Sequence, residues 1–149
     1  MWRALTEDDL FSAMHKAEIA AVRSKALADG QSDPVAEVIA QVTMMMREAI
    51  RSCRDNRLHP EAAYLPEAAM LHAVAIVRHR LGTRFGGLIK GGEDRLEEYR
   101  RANRYLDQVA SCAQAVERYG AEESAAAPQP APRITARRRH YGRDDQDGI

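Results

Sequence analysis

The stretch Leu65–Leu81, LPEAAMLHAVAIVRHRL, constrains the fold more than any other part of this chain. Pro66 suits the first turn of a helix, where its missing N–H would have no intrahelical partner anyway. Met70, Val74, Val77 and Leu81 recur at i, i+4, i+7 and i+11, which is one helical face. Leu71 and Ala75 widen that face, and Ala73 and Ile76 leave little of the early turns polar. A helix apolar on most sides must be covered on most sides. His72, Arg78 and His79 interrupt it, and it is too short to span a bilayer. It is expected to be the central core helix of a small bundle, with the other helices packed around it.

The covering helices can be found by the same periodicity. Residues Met1–Leu5 read as an arm. Thr6 is a good N-cap with Asp9 at N3, a variant capping box, and Glu7, Asp8 and Asp9 complement the positive end of a helix dipole. Leu10, Phe11 and Met14 give a short apolar face. A second helical stretch turns Ile19, Val22 and Leu27 inward and stops at Gly30. Asp33 caps and Pro34 opens a long helix. There Val35, Val38, Ile39, Val42, Met45, Met46, Ala49, Ile50 and Cys53 keep the 3.6 period, with Arg47, Glu48, Arg51 and Arg54 on the other side. Two of the three methionines Met44–Met46 are expected in the core. Asp55–Tyr64 is a loop, with a helical turn possible after Pro60.

Beyond the central helix, GTRFGGLIKGGED carries five glycines from Gly82 to Gly92. Glycine is costly inside a helix, so this reads as a flexible or sharply turned loop anchored by Phe85, Leu88 and Ile89. A last helix is expected from about Glu93 to Cys112. Leu96, Tyr99, Leu106, Val109 and Ala110 face inward; Arg95, Glu97, Glu98, Arg100, Arg101 and Arg104 are solvated, with Glu97 and Arg101 at favourable i,i+4 spacing. The expected fold class is all-α: a small helical bundle over residues 1–120 with an extended C-terminal tail over 121–149.

The chain's 149 residues suffice for one domain with a real core. Its 22 basic and 22 acidic residues balance, so no global field favours nucleic acid or an acidic membrane. The first ten residues lack the pattern of a signal peptide, and no transmembrane segment or membrane partner is expected. Cys53 and Cys112 fall on separate expected helices and read as buried free thiols rather than a disulfide. Neither has a CxxC or CxxH neighbourhood that suggests zinc.

No catalytic, cofactor or metal site is expected. His72 and His79 share a helix face but stand two turns apart, too far to chelate one metal unaided; with His15, His59 and His140 they read as satisfied or solvent-edge side chains. HExxH, GxSxG and DxDxDG are absent. The Gly86-Gly87 region lacks GK[ST] and a leading strand, so it is not read as a phosphate loop.

After Gly120 the composition changes to AEESAAAPQPAPRITARRRHYGRDDQDGI, with almost no large apolar residues. Such a segment buries too little to order itself and is expected to be held by a partner. Pro128–Pro132 should be an extended, stiff spacer of roughly 3 Å per residue. Arg137, Arg138, Arg139, His140, Tyr141, Gly142 and Arg143 form the one dense unusual patch. Phosphate binding, a solvated tail and a peptide that docks on a protein compete as readings. The acidic residues Asp144, Asp145 and Asp147 follow at once and weaken the first. Tyr141 between arginines is the kind of anchor found at protein interfaces.

Several of these features occur together in one family. They are the opening TEDDL (Thr6–Leu10), the long helix through Arg51, the buried helix and the glycine-containing loop. RLEEY (Arg95–Tyr99) with Tyr105, Leu106, Val109 and Ala110 comes next, and then the ending RHYGRD (Arg139–Asp144) with Gly148 and Ile149. In this order the chain resembles the head–tail connector (adaptor) proteins of tailed phages, of the Mu-like neck type. The resemblance implies a non-enzymatic virion protein, present in the host cytoplasm during assembly. Its homo-oligomeric ring, of about twelve copies, would join the portal protein to a stopper or tail-side neck protein around a channel for packaged DNA. Arg137, Arg138, Arg139, Tyr141, Arg143, Asp144 and Ile149 would be the partner-binding residues of the tail. The rival readings are a small helical nucleic-acid-binding regulator using Arg78, Arg80, Arg84 and the tail arginines, and a helical enzyme using His72 or His79.

Overall fold

The structure, a computed structural model, describes residues 1–26, 32–89 and 92–120. It is mostly helical, with a two-stranded antiparallel ribbon that the all-α expectation did not include. The order is β1 (Trp2–Ala4), α1 (Glu7–Leu10), α2 (Lys16–Ala26), α3 (Pro34–Ser52), β2 (Tyr64–Pro66), α4 (Glu67–Arg84) and α5 (Glu93–Ala110).

The core helix lies where the apolar pattern put it. In α4, Ala69, Met70, Ala73–Val77 and Leu81 are all buried. It packs chiefly against α5 and α3, with α1 and β2 completing the cover. Leu71 is the correction on this helix: it is 77% exposed, one residue off the buried stripe. The helix also starts one residue later and ends later than expected. Pro66 is extended (φ −67°, ψ 144°) and is the N-cap, while the Glu67 N–H donates to the Met1 carbonyl at 2.9 Å. At the other end α4 runs through Gly82 to Arg84. A Cβ on Gly82 would meet only Ile89 Cγ2, at 3.9 Å, so the helix continues there under tertiary packing. The turn comes later, at Gly87 with φ +90°, and Ile89 anchors it in the core.

The N-terminal residues are a strand rather than an arm. Trp2 pairs with Pro66, Arg3 with Leu65 and Ala4 with Tyr64. The pairing satisfies backbone groups that would otherwise be lost on covering, and it brings Leu5 and Leu65 into the core at 6% and 0% exposure. Pro66, lacking an N–H, sits at the end of this short ribbon, where strands tolerate it.

The caps are as the sequence implies. The Asp9 carboxylate accepts from the Thr6 backbone N–H at 2.8 Å and from the Thr6 hydroxyl at 3.0 Å. Asp33 accepts from the Val35 N–H at 3.0 Å, and Pro34 follows it at N1. Along α3, Val35, Val38, Val42, Met46 and Ile50 are buried, Met45 is half-buried and Met44 is exposed. The stop expected at Gly30 lies outside the described residues. Helix α5 ends at Ala110, two residues short of the expected end. Its inner face is Ala102, Tyr105, Leu106 and Val109, whereas Leu96 is 37% exposed.

Candidate interaction surfaces

The side chains with chemistry to offer fall in four places, each fixed by the helices. Along the α4–α5 seam two histidines stack on two tyrosines: His72 on Tyr105 with ring centroids 4.0 Å apart, and His79 on Tyr99 at 3.7 Å. Burial holds both imidazoles below the usual histidine range, with Arg101 adding to the effect at His72. Burial raises the Tyr105 phenol. Stacked neutral rings are packing partners, and no described carboxylate or cysteine joins either imidazole in a metal-ligating group.

Beside this seam, Arg78 enters the core. It is 7% exposed, ion-pairs with Glu98 and donates to the Ala13 carbonyl at 3.3 Å. Arg84 pairs with Glu37 at 3.1 Å, and an Arg80 guanidinium nitrogen lies 3.1 Å from Met45 Sδ. The three arginines that a nucleic-acid reading would use are thus not one patch; the first is spent in tying α5 and the turn between α1 and α2 to α4.

A polar clamp closes the other end of the bundle. The Arg23 guanidinium donates to Glu7 at 2.8 and 2.6 Å and to Asp33 at 3.0 and 2.7 Å, joining α1, α2 and the cap of α3. Arg23 holds the Asp33 carboxyl below the usual carboxylate range, and the Val35 N–H reinforces this. Asp9 is a balance: burial pushes its carboxyl up, but the Thr6 backbone bond and the Arg3 guanidinium outweigh it and leave it lowered. The clamp borders a groove of ≈ 580 Å³ lined in part by small exposed residues, Ala36, Ala40, Ala62 and Ala63. Met44, 62% exposed, separates it from a second groove of ≈ 760 Å³ carrying Arg47, Arg51 and Arg80.

Arg47 was expected on the solvated side of α3. Its guanidinium instead donates to the carbonyls of His59, Glu61 and Tyr64 at 2.8–2.9 Å and fastens the 53–64 loop onto the helix. Burial lowers its pKa from the ordinary arginine value.

The fourth place is where sequence reasoning missed most. Residues 111–120 fold back across the end of α3. Val116 is buried at 7%, the Tyr119 N–H donates to the Arg57 carbonyl at 3.1 Å, and the Tyr119 ring lies 4.2 Å from that of His59. The Met1 ammonium pairs with Glu117. Cys53 and Cys112 are joined as a disulfide, with Cα atoms 5.2 Å apart, which overturns the free-thiol reading. Cys53 is buried as expected, but Cys112 is exposed because α5 has already ended and a turn at φ +60° presents its side chain. No local motif marks such a pair; only its spatial meeting does.

The expected tail anchors Arg137, Arg138, Arg139, Tyr141, Arg143, Asp144 and Ile149 lie outside the described residues. Among the described residues, no helix is long and apolar enough to cross a membrane. Comparison of the chain with protein-family models, with curated proteins and with solved structures finds no match.

Proposed function

We propose that this chain is a head–tail adaptor of the Mu-like neck type, a structural protein of a tailed phage or phage-like particle. In this reading its helical body forms a ring of about twelve copies beneath the portal, around the channel through which packaged DNA passes. A stopper or tail-side neck protein meets the ring from the other side. The body is assembled in the host cytoplasm and ends in the virion neck. The tail after Gly120, with Arg137–Arg139, Tyr141, Arg143, Asp144 and Ile149, is its tether to the portal.

The observation that carries the reading is the order of elements. A short acid-capped helix (α1), a long amphipathic helix (α3), a buried helix (α4), a glycine turn and the RLEEY helix (α5) follow one another as the resemblance implies. The burial of Arg78 supports it against the regulator reading, since a cation held by Glu98 and a backbone carbonyl is withdrawn from phosphates.

The test is the solution mass of the full chain, alone and with the portal protein from the same genome, by light scattering. The expected result is a large defined ring in the presence of portal. Truncation after Gly120 should leave the helical circular dichroism intact and abolish that assembly. A full chain indifferent to portal, or a truncated one that still assembles normally, overturns the proposal or its tail assignment respectively.

A further inference from the structure

Cys53 is the C-cap of α3, Asp55 follows two residues later in an exposed position, and Cys112 sits in the exposed turn after α5. One ligand atom from each of the three lies within 4.8 Å of the others. No other set of three His, Cys, Asp or Glu ligand atoms among the described residues comes so close. Two cysteines and one carboxylate are a donor set that suits a borderline-soft divalent cation and not calcium or magnesium, which prefer oxygen throughout.

We propose that Cys53, Cys112 and Asp55 form a redox-gated zinc site. Oxidised, the two sulfurs are spent in the disulfide and the site is shut. A dithiol reductant opens it: two electrons and two protons pass to the pair, the S–S bond breaks, two thiols form, and the reductant becomes a disulfide. Zinc then displaces the two thiol protons into solvent and takes two Zn–S bonds and one Zn–O bond, with water at the fourth position.

The geometry asks for little movement. Zinc bonds of about 2.0–2.3 Å set tetrahedral ligand edges of roughly 3.4–3.8 Å. The sulfurs must part from bonding distance to that edge, and the carboxylate must close in by about an ångström from the 4.8 Å limit. Cys53 is buried and fixed, whereas Cys112 and Asp55 are both exposed and have room to make the adjustment. The same spacing that lets the two cysteines bond, a Cα separation of 5.2 Å, keeps them close enough for one ion. Cytoplasmic conditions favour the thiols and extracellular ones the disulfide, so the compartment sets which form the chain takes.

The experiment uses the isolated full chain, so its outcome is independent of portal binding. Oxidised and phosphine-reduced protein are titrated anaerobically with cobalt(II) as a spectroscopic probe, then with zinc, while helical circular dichroism is followed. The reduced chain should bind one cobalt per chain with a thiolate charge-transfer band that zinc bleaches, and the oxidised chain should show no band. Asp55→Ala should weaken binding by about 10–100-fold, as the loss of ligand-shell partners does elsewhere, and Cys112→Ser should abolish the band. A folded, reduced chain without the band overturns the proposal, and so does an Asp55→Ala variant of unchanged affinity. If reduction unfolds the body, zinc that restores helicity supports the site, and zinc that does not overturns it.

Discussion

Opening the Cys53–Cys112 bridge should cost this protein a large share of its stability, chiefly through the unfolded chain. The bridge closes a loop spanning 59 residues. In the chain-entropy account, a cross-link of that length removes freedom from the denatured ensemble worth about 4 kcal/mol at 25 °C, against a usual measured range of roughly 2–4 kcal/mol. For a domain of this size each kcal/mol moves the melting temperature by about 4 °C, so the shift should be about 8–16 °C. The perturbation is the double variant Cys53→Ala/Cys112→Ser, compared with wild type with and without a metal-free reductant and with a chelator present. The readouts are thermal melts and urea titrations by circular dichroism. The urea midpoint should fall, and the slope should rise somewhat, because an unfolded chain without the loop exposes more surface. A melting temperature within about 2 °C of the oxidised wild type would refute the reasoning, because the loop entropy would then not appear as net stability. A large loss of stability with the native helical signal already reduced at low temperature would also refute it. The bridge would then be holding the native fold itself rather than restricting the unfolded one.

Two further outcomes follow from the packing and the rings. Ile76→Ala removes a side chain 1% exposed at the centre of α4 and should cost about 2–5 kcal/mol in the urea midpoint, whereas Leu71→Ala on the same helix, 77% exposed, should change it by less than about 0.5 kcal/mol. His72 is held below its ordinary value by burial, so the unfolded chain takes up the proton first. Its contribution to stability is therefore complete above about pH 6.5 and is lost as the pH falls toward the folded value. His72→Phe, which keeps a ring on Tyr105, should flatten that part of the stability profile in urea titrations at about pH 7.5 and pH 5.

What the sequence made legible was local. The apolar period of α4 and α3, the Thr6–Asp9 box and the Asp33-Pro34 start are signals carried by residues three or four apart, and each corresponds to an observed element. What escaped was long-range. Trp2–Ala4 has no strand signature by itself; it becomes one because Tyr64–Pro66 offers a partner edge. Arg47 reads as a solvated residue on a helical wheel, yet three carbonyls of a loop twelve to seventeen positions away collect its guanidinium. Gly82 looks like a helix stop but continues α4, since packing outweighs a propensity cost of about 1 kcal/mol. The disulfide, and with it the zinc-ligating trio, depends on α5 ending two residues early so that Cys112 turns toward Cys53, and element ends are the least legible feature of a sequence.

The lone tryptophan gives this fold a built-in optical gauge of one seam. Trp2 is the chain's single indole. It sits 6.2 Å from the His59 ring, and its N–H is buried without a hydrogen-bond partner. His59 in turn carries Tyr64 and Tyr119, so the N-terminal strand, the 53–64 loop and the 111–120 segment all meet around it. An indole kept from water emits to the blue, and its emission moves to the red when water reaches it. The fluorescence of this chain therefore watches the root of the tail, while far-ultraviolet circular dichroism watches the helices. If the two signals change together, the body opens all at once. If the emission moves first, the 111–120 segment loosens while α3, α4 and α5 stay closed, and that local opening can be followed in real time without any label.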